Sequence, residues 1–175
     1  MKELFDVYTI DRQKTGVKKQ RGEELLPNEF RLVVHVCIFN ERNQMLIQQK
    51  ADEKNMNNIW DISAGGSAVA GETSRMAIGR ELKEELGYDY NFTSKKPQLT
   101  IYFKEYINDI YIIRNSQVDI DNLVLQSEEV KDVKWATRDE ICDLIAEKKF
   151  INFDSSYINL LFFMNSNGEG CVIDE

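Results

Sequence analysis

Three glutamates crowd one short stretch, Arg80-Glu81-Leu82-Lys83-Glu84-Glu85-Leu86-Gly87. On a helix of 3.6 residues per turn, Glu81, Glu84 and Glu85 fall within about 100° of one another, so one face carries three carboxylates. That face is costly in isolation. Like charges at i,i+3 and i,i+4 cost about 0.2–0.5 kcal/mol per pair, and Glu84 and Glu85 fall in the last turns, where the helix dipole favours cations. The compensating positive charge is missing from the surrounding sequence and is expected from a bound ion. Mg²⁺ takes oxygen ligands, keeps several waters and commonly bridges protein carboxylates to substrate phosphates. The bland alternative is a solvated charged face with Arg80 and Glu84 as an ordinary i,i+4 pair, and the acids alone do not decide between the two.

The elements around them are legible. Ile78, Leu82 and Leu86 repeat every four residues, Thr73 or Ser74 can cap the start and Gly87 stands at the stop, which predicts a helix over 73–86. Ile59–Ser63 reads as a short strand running into Ala64-Gly65-Gly66-Ser67, where paired glycines let backbone approach a ligand. Leu32–Phe39 is a near-continuous apolar, β-branched run expected to form a strand covered on both faces, and Met45–Gln49 forms its successor. An amino-terminal hairpin is expected over about 5–22. Further strands are expected at 99–103, 109–114 and 130–135. Helices are expected from the capping box Thr137-Arg138-Asp139-Glu140 to about Glu147, and over about 156–164. The class is mixed α and β, and no repeat, linker or low-complexity stretch divides residues 1–175, so a single domain is expected.

Composition narrows the partners. Thirty acidic against 22 basic residues give a net charge of −8, which disfavours nucleic acid and anionic lipid and favours a small molecule or one bridged by metal. The longest apolar cluster, Leu160–Met164, is too short to cross a bilayer, and acids occupy the amino terminus where a signal peptide would be apolar; a soluble, cytoplasmic protein is expected. Cys37, Cys142 and Cys171 lack metal or redox spacing and read as reduced thiols. His35, the single histidine, reads as a hydrogen-bonded core residue, since imidazole metal sites need companions.

The complete spacing resembles the Nudix (MutT-like) hydrolases, whose signature runs Gly, five residues, Glu, seven residues, Arg-Glu, an aliphatic, any residue, Glu-Glu, any residue, Gly, an aliphatic. Gly66, Glu72, Arg80, Glu81, Leu82, Glu84, Glu85 and Gly87 occupy those places within a box over 66–88, and only Tyr88 departs, being aromatic. At background frequencies near 7% per position, seven fixed residues coincide by chance on the order of once in a million chains. The resemblance implies an α/β/α sandwich with a mixed β-sheet and a loop-helix catalytic motif. It implies metal-dependent hydrolysis of a diphosphate linkage between a nucleoside diphosphate and another moiety, with Mg²⁺ or Mn²⁺ as cofactor. By residue-for-residue carry-over, Glu84 and Glu85 are metal ligands. Glu81 is a further ligand or the water-orienting group, Arg80 holds Glu81, Glu72 braces the loop, and Gly65 offers its carbonyl to the metal. A homodimer is a family-level expectation.

Outside the box, Asp6-Val7-Tyr8, Gly16, Arg21-Gly22, Val33–Val36 and Trp60-Asp61-Ile62 resemble the branch containing isopentenyl-diphosphate isomerases and their hydrolase-like relatives. Those isomerases use a cysteine just after the Trp60 strand and several histidines. This chain has Ser63-Ala64-Gly65-Gly66-Ser67 there and one histidine, which places it with the hydrolase-like relatives. A non-catalytic nucleotide-sensing domain is the third reading, disfavoured because all signature acids survive. Glu81 is the first choice of general base, ahead of Glu105, Glu128 and Glu129, which read as surface acids. Trp60, Phe103 and Tyr111 could stack on a base but read more simply as core, and Lys50 as a phosphate contact or, more simply, an exposed solubility residue. No substrate-binding residue is assigned.

Overall fold

The structure is a computed structural model that describes residues 3–51 and 58–167; Cys171 lies outside the described residues. Nine strands and three α-helices alternate along it: β1 (Leu4–Tyr8), β2 (Lys14–Gln20), β3 (Arg31–Ile38), β4 (Met45–Lys50), β5 (Trp60–Asp61), β6 (Ala64–Ser67), α1 (Ser74–Leu86), β7 (Leu99–Phe103), β8 (Tyr106–Ile113), β9 (Val130–Ala136), α2 (Arg138–Ala146) and α3 (Ser155–Asn167), with a 3-10 turn at Ile120–Asn122. The mixed α and β class expected from the pattern is what the chain adopts. The described residues group into two compact units, one drawing on the chain up to Val36, Gly65–Glu84 and Tyr88–Tyr111, the other on Cys37–Ala64, Glu85–Gly87 and the chain from Ile112.

In the first unit β1 and β2 form the expected hairpin, antiparallel with Leu4 opposite Gln20 and an irregularity between Asp6 and Tyr8. A four-stranded sheet runs in the order β6-β3-β8-β7. Along β3, Leu32, Val34 and Val36 are buried while Arg31, Val33 and His35 between them are half-buried, so the first half alternates as a strand with one wetter face does, whereas Val36, Cys37, Ile38 and the following Phe39 are all buried, as expected of a run covered on both faces. Ile78 and Leu82 of α1 are fully buried. Thr73 is the residue that caps α1: its Oγ1 accepts from the Met76 N–H at 3.3 Å and its carbonyl from the Ala77 N–H at 2.9 Å.

Ala64–Ser67, read from its paired glycines only as a place of close backbone approach, forms strand β6. The reason is a close approach. A Cβ on Gly65 would lie 2.3 Å from the His35 ring and 2.6 Å from the Val34 carbonyl, so only glycine lets this segment lie against β3. Phe103, read as core, is 60% exposed. It sits at the tip of β7, an edge strand paired on one side only, where burial by a neighbouring strand is lacking, and Lys104 lies 5.5 Å above its ring. Tyr111 is core as expected. Tyr88, the one departure from the signature, starts a run of ring contacts: Tyr88–Tyr90 at 6.4 Å, Tyr90–Phe92 at 4.9 Å and Phe92–Tyr111 at 5.3 Å.

In the second unit β5, β4 and β9 form an antiparallel sheet around the buried Met45, Leu46 and Ile47. The capping box at α2 is present in full, with Thr137 and Glu140 exchanging side-chain and backbone bonds. Ile158, Leu161 and Phe162 of α3 are buried, and Phe162 meets Phe39 edge-on at 5.0 Å. Gly87 ends α1 at φ +63, and a Cβ there would lie 2.8 Å from Val124 Cβ and 2.9 Å from the Val124 carbonyl. Gly87→Ala is therefore expected to lower stability by about 1–3 kcal/mol, the left-handed cost plus the clash. Chemical denaturation checks this, and a midpoint unchanged from wild type contradicts it.

Candidate active site

The first unit organises its acids around one guanidinium. Arg80 Nε and Nη2 donate to the two oxygens of Glu72 at 2.8 and 3.0 Å, Nη1 donates to Glu81 at 3.0 Å and to Glu84 at 2.9 Å, and Nη2 also reaches the Ser67 carbonyl at 3.1 Å. The fork-on-fork bond to Glu72 is the arrangement for which a planar guanidinium is suited. Hydrogen bonding to Glu72, with the charges of Glu81 and Glu84 added and burial opposing, drives the Arg80 pKa upward, so it stays a cation. Glu72 in turn accepts from the Val69 N–H at 2.8 Å, which closes the loop before α1. Arg80 thus bonds both Glu72 and Glu81, and Glu72 bonds the backbone of the loop before α1.

Glu81 lies against backbone. A Cβ on Gly66 would stand 2.3 Å from its Oε1, so glycine at 66 makes room for that carboxylate. His35, next to Gly65, pairs its Nδ1 with Asn108 Oδ1 at 2.8 Å and is a half-buried structural side chain. Glu84 is the outward acid: its side chain is 52% exposed and contacts Arg80 through Oε2.

Glu85 belongs to the second unit and is 1% exposed. Lys50 Nζ donates to its Oε1 and Gln48 Nε2 to its Oε2, each at 3.3 Å, and Lys50 also stands 3.9 Å from Asp61. Lys50 is thus neither an exposed solubility residue nor a lone phosphate contact; its side chain is 19% exposed and paired with a signature acid. Burial lowers the Lys50 pKa, but the negative charges of Glu85 and Asp61 outweigh it and the net shift is upward. The positive charge expected from a bound ion comes, in this structure, from within the chain, as Arg80 for Glu81 and Glu84 and as Lys50 for Glu85. Gln48 and Lys50 were not detectable as a pair. They lie at i and i+2, on one face of β4, but the equally polar Gln49 between them hides that face in the sequence.

Among the described residues no three acidic, histidine or cysteine side chains converge as a ready metal cluster. The donor set nonetheless fits a hard, hydrated cation. All the atoms concerned are oxygens; within the first unit the half-exposed Arg80–Glu84 pair is a surface ion pair that contributes little and can yield, and within the second Gln48 Oε1, beside Glu85, is buried without a partner among the described residues. A metal-bound water would satisfy that acceptor. Glu105, Glu128 and Glu129 are exposed.

The stretch where an isomerase thiol would stand is fully committed. Ser63 is 0% exposed, donates to the Leu46 carbonyl at 2.5 Å and accepts from the Ile38 N–H at 2.8 Å. Cys37 is also fully buried, and burial pushes its thiol pKa far up, the opposite of a reactive cysteine.

Residues 29–161 match the NUDIX domain family model. An uncharacterised Nudix hydrolase of Listeria innocua is 40% identical over 161 residues, covering 91% of this chain and 94% of that protein. An isopentenyl-diphosphate Δ-isomerase of Pectobacterium atrosepticum is 31% identical over 104 residues, 58% of this chain and 56% of its own. The crystal structure of a Deinococcus radiodurans protein superimposes with a TM-score of 0.73 at 20% identity, covering 91% of this chain and 99% of that one.

Proposed function

The chain belongs to the Nudix family, and from that premise we propose that it hydrolyses a phosphoanhydride bond in a nucleoside diphosphate linked to another moiety, with Mg²⁺ or Mn²⁺ as cofactor. The observation that carries this reading is the Arg80 clasp, in which one guanidinium fixes Glu72, Glu81 and Glu84 at 2.8–3.0 Å. Signature position assigns Glu81, Glu84, Glu85 and the Gly65 carbonyl to the cation. A cation held by these residues would supply charge neutralisation of the diphosphate and a more acidic water. Arg80 keeps Glu81 oriented by a bond at 3.0 Å, and Glu81, seated over Gly66, is the group that would accept a proton from the attacking water. Isomerase chemistry is disfavoured by the committed Ser63 hydroxyl and by Gly65, where a side chain would run into the Val34 carbonyl and the His35 ring. A silent sensor is disfavoured by the intact set of acids.

The deciding experiment is a product assay with ADP-ribose, nucleotide sugars, coenzyme A, dinucleoside polyphosphates, oxidised nucleoside triphosphates and isopentenyl diphosphate. Release of a nucleoside monophosphate or phosphate supports the reading, and isomerisation alone or no turnover overturns it. Metal is also expected to raise the melting temperature by mass action, worth about 2.7 kcal/mol at a hundredfold excess over Kd. A melting curve that stays flat up to millimolar Mg²⁺ and Mn²⁺ counts against the metal assignment. Among the described residues no helix is long and apolar enough to cross a membrane.

A further inference from the structure

The acidic chain contains a basic cavity. Within the first unit a space of about 650 Å³ is walled by Arg12, Lys14, Arg75, Lys95 and Lys96 against only two carboxylates, Glu72 and Asp109. Both carboxylates are already neutralised by guanidinium groups, Asp109 by Arg12 and Glu72 by Arg80. Lys14 is paired with Asp6 at 2.5 Å, but Arg75, Lys95 and Lys96 form no ion pair among the described residues. Arg75 donates to the Thr93 carbonyl at 2.6 Å, and Lys95 lies 5.8 Å from the centre of the Tyr90 ring. In a chain with 30 acids and 22 bases, three cations without carboxylates on one concave wall are a local reversal of sign. Such a wall raises the local concentration of anions.

The cavity is tied to the clasp. Glu72 forms part of its wall, and the guanidinium that grips Glu72 also grips Glu81. The width of one guanidinium therefore separates the cavity wall from the proposed water-orienting carboxylate. The positive end of α1 adds to the same wall through Thr73 and Ser74.

We propose that this cavity binds a phosphoryl group that the substrate carries outside the diphosphate, so that preferred substrates hold a phosphate beyond the two whose bond is cleaved. This deepens, and rests on, the hydrolase reading above. Lys95 and Lys96 are the specificity-determining cations, with Arg75 in support.

The test uses matched pairs that differ by one phosphate, coenzyme A with dephospho-coenzyme A and NADPH with NADH, together with metal-free calorimetric titration of inorganic tripolyphosphate. Wild type is expected to favour the phosphorylated member at least about fivefold in kcat/KM, the worth of one exposed cation contact. In Lys95→Ala/Lys96→Ala that preference is expected to vanish through KM, with the unphosphorylated member cut as before, and tripolyphosphate is expected to bind at least about fivefold more weakly. Equal cleavage of both members by wild type overturns the inference while leaving the hydrolase reading intact. If no member of either pair is cut, the titration decides. Binding lost in the double variant keeps the phosphoryl-binding cavity and sinks its link to the reaction, and binding unchanged overturns it. Lys95 and Lys96 are exposed, so the variant is expected to fold, and an unaltered melting temperature verifies that.

Discussion

Glu84→Gln is expected to lower kcat by roughly 10²–10³-fold while leaving the metal-free protein as stable as wild type. Two facts separate the effects. The Glu84 side chain is 52% exposed and its one bond is the i,i+4 pair with Arg80, so the neutral amide forfeits only the screened attraction of an exposed pair, about 0.3–0.5 kcal/mol. Activity should respond far more strongly. Groups that merely orient a metal ligand are commonly worth about 10–100-fold, and removing charge from a proposed ligand exceeds that. Steady-state kinetics at saturating Mg²⁺, paired with calorimetry, provides the check. Full activity in this variant removes Glu84 from the machinery, and a large loss of stability would mean that the acid is structural instead.

Arg80→Ala is expected to act in the opposite proportion on stability, at a cost of about 3 kcal/mol, the lower end for breaking a buried pair. Glu72 and Glu81 have side chains only 15% and 13% exposed, and both lose their guanidinium, as does the Ser67 carbonyl. At about 2–4 °C per kcal/mol for a chain of this size, the melting temperature should fall by roughly 6–12 °C. Arg80→Lys should recover part of this, because an ammonium supplies the charge without the planar fork that holds Glu72 through both oxygens. A shift under about 2 °C in the alanine variant would mean that water replaces the clasp, and the assignment of Arg80 as organiser would fail.

What the sequence reveals here is set by how local each signal is. Helix α1 was legible because Ile78, Leu82 and Leu86 repeat at a helical period and Gly87 stops the chain, all within a few turns. The Thr137–Glu140 capping box is likewise complete within four residues. The Glu72–Arg80 bond spans eight positions and was reached through the signature, which encodes that contact as spacing. The pairing of Lys50 with Glu85 spans 35 positions and leaves no periodic trace. Strand β6 was missed because Ala-Gly-Gly-Ser carries no β-propensity of its own, and its conformation is imposed by the fit of Gly65 against β3. Phe103 misled because aromatic character says nothing about whether a strand ends up at the border of its sheet.

The ammonium beside Glu85 has a consequence for the fold wherever the proposed divalent ion is scarce. A zinc finger stripped of its ion comes apart, since folding and loading are there a single event. Here the innermost signature acid carries its own counterweight, so starvation or chelation would idle the catalyst without exposing its interior to proteases.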